Sequence, residues 1–148
     1  MRRMDPFEAY STSPVLRFVP GPQAEAFDAE THRRFRSQAF AVSTRSDRTG
    51  VRLEGEPLAH RAAADLLPEG LVAGAVQVPA DGHPIVLGVD RPATGGYVKI
   101  ATVISADLGR LAAAKPGDRL RFEETTVEAA RQLARELETW LPRATHAC

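Results

Sequence analysis

Residues 74–103, which read GAVQVPADGHPIVLGVDRPATGGYVKIATV, decide the fold. Three short apolar runs lie in this stretch, at 75–78, 85–89 and 98–102, and their residues alternate with period two. Successive side chains of a strand point to opposite faces, so this alternation predicts three half-buried β-strands. The PADG segment after the first run is typical of a hairpin turn. In the DRPATGG loop before the third run, two adjacent glycines allow a sharp turn or a close approach to a ligand, and we expect positive φ at Gly95 or Gly96.

Similar short strands are predicted on both sides of this stretch, at 15–19, 40–43, 51–54 and 119–122. Residues 60–67 contain an alanine run that favours helix by propensity. Many short strands separated by turns are typical of a closed or nearly closed small β-barrel. The predicted fold class is therefore mainly β (α+β), with few helices.

Three helical segments are predicted around these strands. Phe27, Thr31 and Phe35 fall four residues apart, which places them on one face of an N-terminal helix. A short helix begins near Ser105. A capping box of Thr125 and Glu128 begins an amphipathic C-terminal helix, which Pro142 ends. We expect a loosely ordered leader at 1–14, the barrel at 15–125, the packed C-terminal helix at 126–141 and a tail at 142–148.

The composition excludes several classes of protein. The 148 residues suffice for one domain, and 19 basic residues balance 19 acidic ones, so no overall field attracts nucleic acid or an acidic membrane. No apolar run approaches the ~20 residues of a membrane helix. Cys148 is the single cysteine, which excludes an internal disulfide and fits a cytoplasmic location. The four histidines are widely spaced and lack ligand-spaced partners, so we expect no metal site.

Several segments together resemble a known family. GAVQVPADGHPIV, DRPATGGY and KIATVISADL are similar to the signature of the biotin-dependent carboxyltransferase-type proteins, which include the C subunit of 5-oxoprolinase and allophanate hydrolase subunit two. VPGPQ at 19–23, SDRTGVRLEG at 46–55 and PGDRLRF at 116–122 follow the same order. The resemblance covers about residues 16–122 and only the second half of a family member. We therefore expect a natural fragment or a truncated gene start.

The resemblance implies a fold and an activity. The fold is a cyclophilin-like β-barrel, which does not by itself imply prolyl isomerase activity. The resemblance also implies extended chain at 60–67, and we follow it there against the helical propensity. The activity is that of a hydrolase subunit in an ATP-dependent 5-oxoprolinase. The enzyme opens 5-oxo-L-proline to L-glutamate, and this subunit would be inactive alone. This subunit would have two partners. One is a homologue of the B subunit, which is of the allophanate hydrolase subunit one type, and the other is an amidohydrolase-like A subunit. ATP would act through this hetero-complex.

Two alternatives remain open at this point. One is urea carboxylase or allophanate-type carboxyl transfer, which would bring in biotin as a cofactor. The other is a non-catalytic binding module that pairs with a homologue of the B subunit, and thereby regulates a kinase inhibitor. A degenerate, inactive fragment is a third and less informative outcome.

Within the resembling segments, polar residues at strand ends and beside the double glycine are candidates for substrate binding. A guanidinium grips a carboxylate by two parallel bonds, and Arg52 points away from the inward Val51 and Leu53. Gln77 in an apolar strand needs a partner, so it binds substrate or braces the loop. The candidates are Arg48, Arg52, Gln77, Asp90, Thr94, Gly95, Gly96 and Lys99. The same residues also have a purely structural explanation, in which the charged ones form surface ion pairs and the double glycine only makes a turn. The sequence identifies no catalytic residue.

Overall fold

The structure is a computed structural model that describes residues 13–145, with side chains from 13 to 139. The predicted leader lies almost wholly outside the described residues, as does the end of the predicted tail. In chain order the elements are β1 (Val15–Pro20), α1 (Ala29–Ser37), β2 (Phe40–Val42), β3 (Gly50–Glu54), β4 (Asp65–Gly70), β5 (Ala75–Gln77), β6 (Ile85–Leu87), β7 (Thr94–Tyr97), β8 (Lys99–Val103), α2 (Leu108–Ala112), β9 (Arg119–Glu124) and α3 (Val127–Thr145).

Seven of these strands form a closed barrel, which confirms the predicted fold class. The strand order around the barrel is β1-β8-β5-β6-β3-β2-β9. The pair that closes it, β1 with β9, is parallel, and the other neighbours are antiparallel. The remaining strands, β4 and β7, pair only with each other, and we call them the β4–β7 arm.

Four aromatic rings of the mainly aliphatic core meet beneath α1. Phe35 of α1 is fully buried, and its ring stacks on Phe122 at 4.4 Å between centroids. Phe18 and Phe40 contact the same pair edge-on or at a tilt. Burial of each such side chain contributes about 1.5–3 kcal/mol. Thr31 is also buried on this helix face, as the four-residue spacing predicts. Phe27 is buried too, but the prediction that it belongs to this helix is wrong, because its backbone is extended and α1 begins at Ala29.

The ends of two helices fit their local sequence. Asp28 precedes α1, and its Oδ1 accepts a hydrogen bond from the Thr31 amide at 2.8 Å, which satisfies one free donor of the first turn. At the start of α3 the capping oxygen belongs to Thr126, which accepts from the Ala129 amide at 3.1 Å. The expected Thr125 cap is therefore wrong by one residue, because α3 begins at Val127.

The far end of α3 also differs from the expectation. The helix continues to Thr145, beyond Pro142. A proline removes one backbone hydrogen bond and crowds the preceding turn, but a helix can kink there and continue.

None of the helices within residues 13–145 combines the length and the apolar composition that a membrane span requires.

Candidate functional site

Three of the predicted site residues lie in one row on the outside of the barrel. Strand register pairs Arg52 with Ile85, Ile85 with Gln77, and Gln77 with Lys99, across β3, β6, β5 and β8. Directly opposed residues on neighbouring strands point to the same face. Their chain neighbours, such as Val51, Val76 and Ile100, are buried in the core, so this outward row faces away from it.

The β4–β7 arm covers one end of the outward row. Lys99 and Gln77 are only 4% and 6% exposed, although both lie outside the barrel core. At the other end of the row Arg52 is exposed. The row therefore has an exposed guanidinium, that of Arg52, at one end and a buried ammonium group, that of Lys99, at the end beneath the arm.

The double glycine of the arm is required for space rather than for backbone torsion. A Cβ added at Gly95 would lie 2.8 Å from Nε2 of Gln77 and 2.9 Å from Leu71, and one added at Gly96 would lie 2.9 Å from the Leu66 carbonyl oxygen. The expected positive φ at Gly95 or Gly96 is wrong. Both belong to the extended strand β7, and among described residues positive φ occurs at Gly74, Gly82 and Gly117.

Lys99 is held by a polar network that joins the arm to the barrel. Its Nζ donates to Oε1 of Glu69 at 2.5 Å, and its backbone amide donates to Oε1 of Gln23 at 3.0 Å. Nε2 of Gln23 donates to the same Glu69 oxygen at 2.9 Å. The hydrogen bonds from Lys99 and then Gln23 lower the pKa of Glu69. The carboxylate is therefore held in its ionised form beside the sheltered ammonium group.

Sequence reasoning missed both partners of Lys99. Gln23 lies in the VPGPQ segment that supports the family resemblance, so its motif was available as a signal. Glu69 lies in an arm strand without clear alternation, and nothing in the sequence places it opposite Gly95, its register partner. Only the packing of the arm on β8 reveals Glu69.

The side chains of Gln77 and Arg52 have no bonding partner among the described residues. Within the described residues neither side chain has a hydrogen bond or ion pair to another residue. An ammonium group has three donors. Nζ of Lys99 donates to Glu69 and, at 3.5 Å, to the Tyr97 carbonyl oxygen, so one donor remains. The outward row therefore presents a guanidinium, an amide and an ammonium group, all of them hydrogen-bond donors suited to an anionic or carbonyl oxygen.

The other predicted site residues lie at the edge of this region. Nε of Arg48 pairs with Oδ2 of Asp90 at 3.0 Å, and both side chains are more than half exposed. Such an exposed pair contributes only ~0–1 kcal/mol. Thr94 is exposed at the end of β7, opposite Gly70. Arg91 braces the loop, because its Nε donates to the Leu71 carbonyl oxygen at 3.2 Å.

A metal site has no support in the described part of the chain. Among residues 13–145 no group of three or more His, Cys, Asp or Glu residues is placed to hold a metal ion. His32 and His60 instead bond backbone carbonyl oxygens of Ala24 and Val78, at 2.7 and 2.8 Å.

The fold and the row define a small β-barrel domain whose outer face carries a row of hydrogen-bond donors, with a short arm over one end of it. Comparison with known proteins gives the family. The family described as carboxyltransferase domain, subdomain A and B, matches residues 2–124. The chain belongs to this carboxyltransferase-domain family.

Curated relatives point in the same direction. The chain is 36% identical over 127 residues to the C subunit of 5-oxoprolinase from Haemophilus influenzae, covering 86% of this chain and 41% of that protein. It is 39% identical over 115 residues to the C subunit of 5-oxoprolinase from Escherichia coli, covering 78% and 37% respectively. The chain thus spans about two fifths of the length of these relatives.

A solved structure supports the same fold. The urea carboxylase of Kluyveromyces lactis superposes with a TM-score of 0.79 at 25% identity, over 87% of this chain and 12% of that protein. The barrel therefore recurs as one domain within a much longer chain.

Proposed function

We propose that this chain is a carboxyltransferase-type subunit, or part of one, of an ATP-dependent 5-oxoprolinase complex that opens 5-oxo-L-proline to L-glutamate. The observation that carries the proposal is the outward row, in which strand register aligns Arg52, Gln77 and Lys99. The two relatives that are C subunits of 5-oxoprolinase support the choice of substrate.

The chemistry of lactam opening suits such a row. In the assembled complex the lactam oxygen attacks the γ-phosphorus of ATP, and ADP leaves. Water then adds to the ring carbon, the ring nitrogen leaves as the amine, and a second water hydrolyses the acyl phosphate to L-glutamate and phosphate. The oxygens of the transferred phosphoryl group carry negative charge through these steps. Donors that are already in position stabilise developing charge without reorganisation. In this chain Lys99 and Gln77 are such donors, and Glu69 with Gln23 fixes the ammonium group of Lys99 in place.

The row also offers a natural orientation for the substrate. The free guanidinium of Arg52, at the exposed end, suits the carboxylate of 5-oxo-L-proline. The lactam oxygen would then lie toward Gln77 and Lys99, under the arm. Asp90 of the loop and Thr94 and Gly96 of β7 would border the site, with Arg48 at the loop's outer edge.

We further propose that activity needs the assembled complex. The row supplies charge stabilisation only, so ATP binding and water activation must come from partners. These would be a homologue of the B subunit, together with an amidohydrolase-like A subunit. The purified chain alone is expected to show no 5-oxoproline-dependent ATP hydrolysis.

The test is reconstitution with the cognate A and B partners, followed by an assay of ATP hydrolysis that depends on 5-oxo-L-proline. Lys99→Met should lower kcat by about 10²–10³-fold, the usual effect of losing one preorganised donor. Lys115→Met, which changes an exposed lysine before β9, is the matched control and should leave kcat unchanged. Full activity in Lys99→Met would contradict the proposed role of the row.

Carboxyl transfer from biotin to urea is the second candidate, favoured by the similarity to the Kluyveromyces lactis urea carboxylase. The same row would then bind the oxyanion that forms during carboxyl transfer. Assaying the reconstituted complex with urea and a biotinylated carrier protein separates the two reactions. Turnover of urea without turnover of 5-oxo-L-proline would favour the second candidate.

A further inference from the structure

Two hydrogen-bond donors converge on a single carboxylate oxygen where the arm meets the barrel. Nζ of Lys99 and Nε2 of Gln23 both donate to Oε1 of Glu69, at 2.5 and 2.9 Å. One of these donors carries a full positive charge, and the other is a neutral amide. Two such donors aimed at one point are suited to the oxygen of an anion.

The two donors keep their positions without help from Glu69. Oε1 of Gln23 accepts from the backbone amide of Lys99 at 3.0 Å, and the Gln23 amide donates to the Lys99 carbonyl oxygen at 3.2 Å. Gly21 allows this close approach, because a Cβ there would lie 2.4 Å from the same carbonyl oxygen. The VPGPQ segment is therefore fastened to β8, and the donors are preorganised.

The acceptor, by contrast, is open to solvent. The side chain of Glu69 is 41% exposed, against 5% for that of Lys99. Glu69 also belongs to the arm, and it follows a shift in the pairing of β4 with β7. Exposed side chains change rotamer rapidly. A rotation of Glu69 into solvent would therefore release both donors while the barrel stays in place.

A second ion pair of the same fold shows what a purely structural pair looks like. The carboxylate of Asp107 is fully buried and accepts three hydrogen bonds from Arg17. The fold encloses that carboxylate, so no dissolved anion can replace it. The half-exposed carboxylate of Glu69 is not enclosed in this way and can be exchanged.

A position vacated by Glu69 would attract another anion. The ammonium group of Lys99 would then be buried without a counter-charge, which is unfavourable. A dissolved carboxylate has the same head group as Glu69, so it would restore the charge-assisted hydrogen bond from Lys99 and the bond from Gln23.

We propose that Nζ of Lys99 and Nε2 of Gln23 form a binding site for the carboxylate of a small external ligand, and that Glu69 is a built-in competitor for this site. Glu69 occupies the site in the absence of ligand, and a ligand binds by displacing it. The arm thereby raises the ligand concentration that the site requires. The site goes beyond the proposed function, which assigns no ligand contact to Gln23 and leaves Glu69 on Lys99.

The first test is an NMR titration of the isolated chain with acetate, replacing chloride at constant ionic strength. We expect the side-chain amide resonances of Gln23 to shift saturably with acetate. Acetamide has the same shape without the charge and should cause no shift. The side-chain amide of Gln38 is the internal control, because it donates to the Glu56 carbonyl oxygen at 3.1 Å. An unmoved Gln23 signal, or equal shifts with acetate and acetamide, overturns the proposal.

The second test removes the competitor. Glu69→Ala should bind acetate about tenfold more tightly or better, because a charged hydrogen-bonding group no longer competes. Glu69→Gln should also bind acetate more tightly, and it serves if Glu69→Ala does not fold. Glu124→Ala is the matched control, since it removes a carboxylate from an exposed pair with Arg36 and should leave acetate affinity unchanged. Unchanged affinity in the Glu69 variants, or an equal gain in Glu124→Ala, overturns the role of Glu69.

A double variant locates the anion. Lys99→Met in the Glu69→Ala background should abolish the acetate-dependent shift of Gln23, and a shift of full size there overturns the site. These measurements need no ATP, partner protein or turnover. A complex that turns over substrate while Gln23 does not respond to acetate therefore overturns this proposal alone, whereas acetate binding without turnover in the complex supports the site and counts against the proposed function alone.

Discussion

Nζ of Lys99 lies 2.5 Å from Oε1 of Glu69, and only the lysine of this pair is deeply buried: its side chain is 5% exposed against 41% for the glutamate. The two residues belong to different sheets, since Lys99 lies on the barrel strand β8 and Glu69 on the arm. The ion pair therefore fastens the arm to the barrel over the outward row. Loss of the Glu69 carboxylate would leave the buried ammonium group of Lys99 without a counter-charge, and an uncompensated buried charge destabilises the folded state.

This pair predicts a defined pH dependence of stability. Hydrogen bonds from Lys99 and then Gln23 lower the pKa of Glu69 in the folded protein. A carboxyl group whose pKa is lower in the folded than in the unfolded protein adds to the free energy of unfolding. This contribution is fully present above the unfolded pKa of about 4.3, and it is lost as the pH falls through the folded pKa. The free energy of unfolding of wild type should therefore exceed that of Glu69→Gln near neutral pH, and the gap should close in acid.

Urea unfolding between pH 7 and pH 3 measures this gap. Lys99→Met serves as the control background, because it removes the principal donor to Glu69. Adding Glu69→Gln in that background should produce a much smaller pH-dependent gap. A gap of equal size in both backgrounds would show that the pair does not cause it.

The arm offers a second prediction through two glycines of the same small sheet. Gly95→Ala places a methyl group against Gln77 and Leu71, and we expect a loss of about 1–3 kcal/mol, as for other overpacked sites. Gly70→Ala is the matched control, because nothing lies within 4 Å of an added Cβ there. Its effect should stay within about 0.5 kcal/mol. Equal effects of the two substitutions in chemical unfolding would contradict the close packing of β7 on Gln77.

The glycines also show what the sequence could and could not predict. The importance of Gly95 and Gly96 was predictable from their position, but the reason was not, because glycine serves both for positive φ and for close approach. Alternation predicted the barrel strands, since each buries one face. It did not predict the partner of Lys99, because Glu69 is 30 residues away and only tertiary packing brings the two together. The same limit hid the three hydrogen bonds from Arg17 to Asp107, a fully buried carboxylate 90 residues along the chain.

A third prediction concerns how firmly α3 is docked. Its apolar stripe predicts a buried face, yet Leu133 and Leu137 are only half-buried. Leu137→Ala should therefore cost less than the 2–5 kcal/mol typical of a core leucine. Leu120→Ala, at a fully buried position in β9, should show that full cost. Similar losses of unfolding free energy in both variants would mean that the stripe of α3 is covered in solution.

The fourth prediction separates the two arginines of the SDRTGVRLEG segment. Arg48 pairs with Asp90 at the exposed loop edge, whereas Arg52 lies in the outward row with an uncommitted guanidinium. In the reconstituted complex, Arg52→Ala should lower kcat/KM for 5-oxo-L-proline by about tenfold or more, because a charged hydrogen bond to the substrate is lost. Arg48→Ala should change kcat/KM by less than about twofold, since an exposed ion pair contributes little. If Arg52 acts only in binding, KM rises and kcat is kept. A larger effect at Arg48 than at Arg52 would place the substrate at the loop edge and contradict the row as the site.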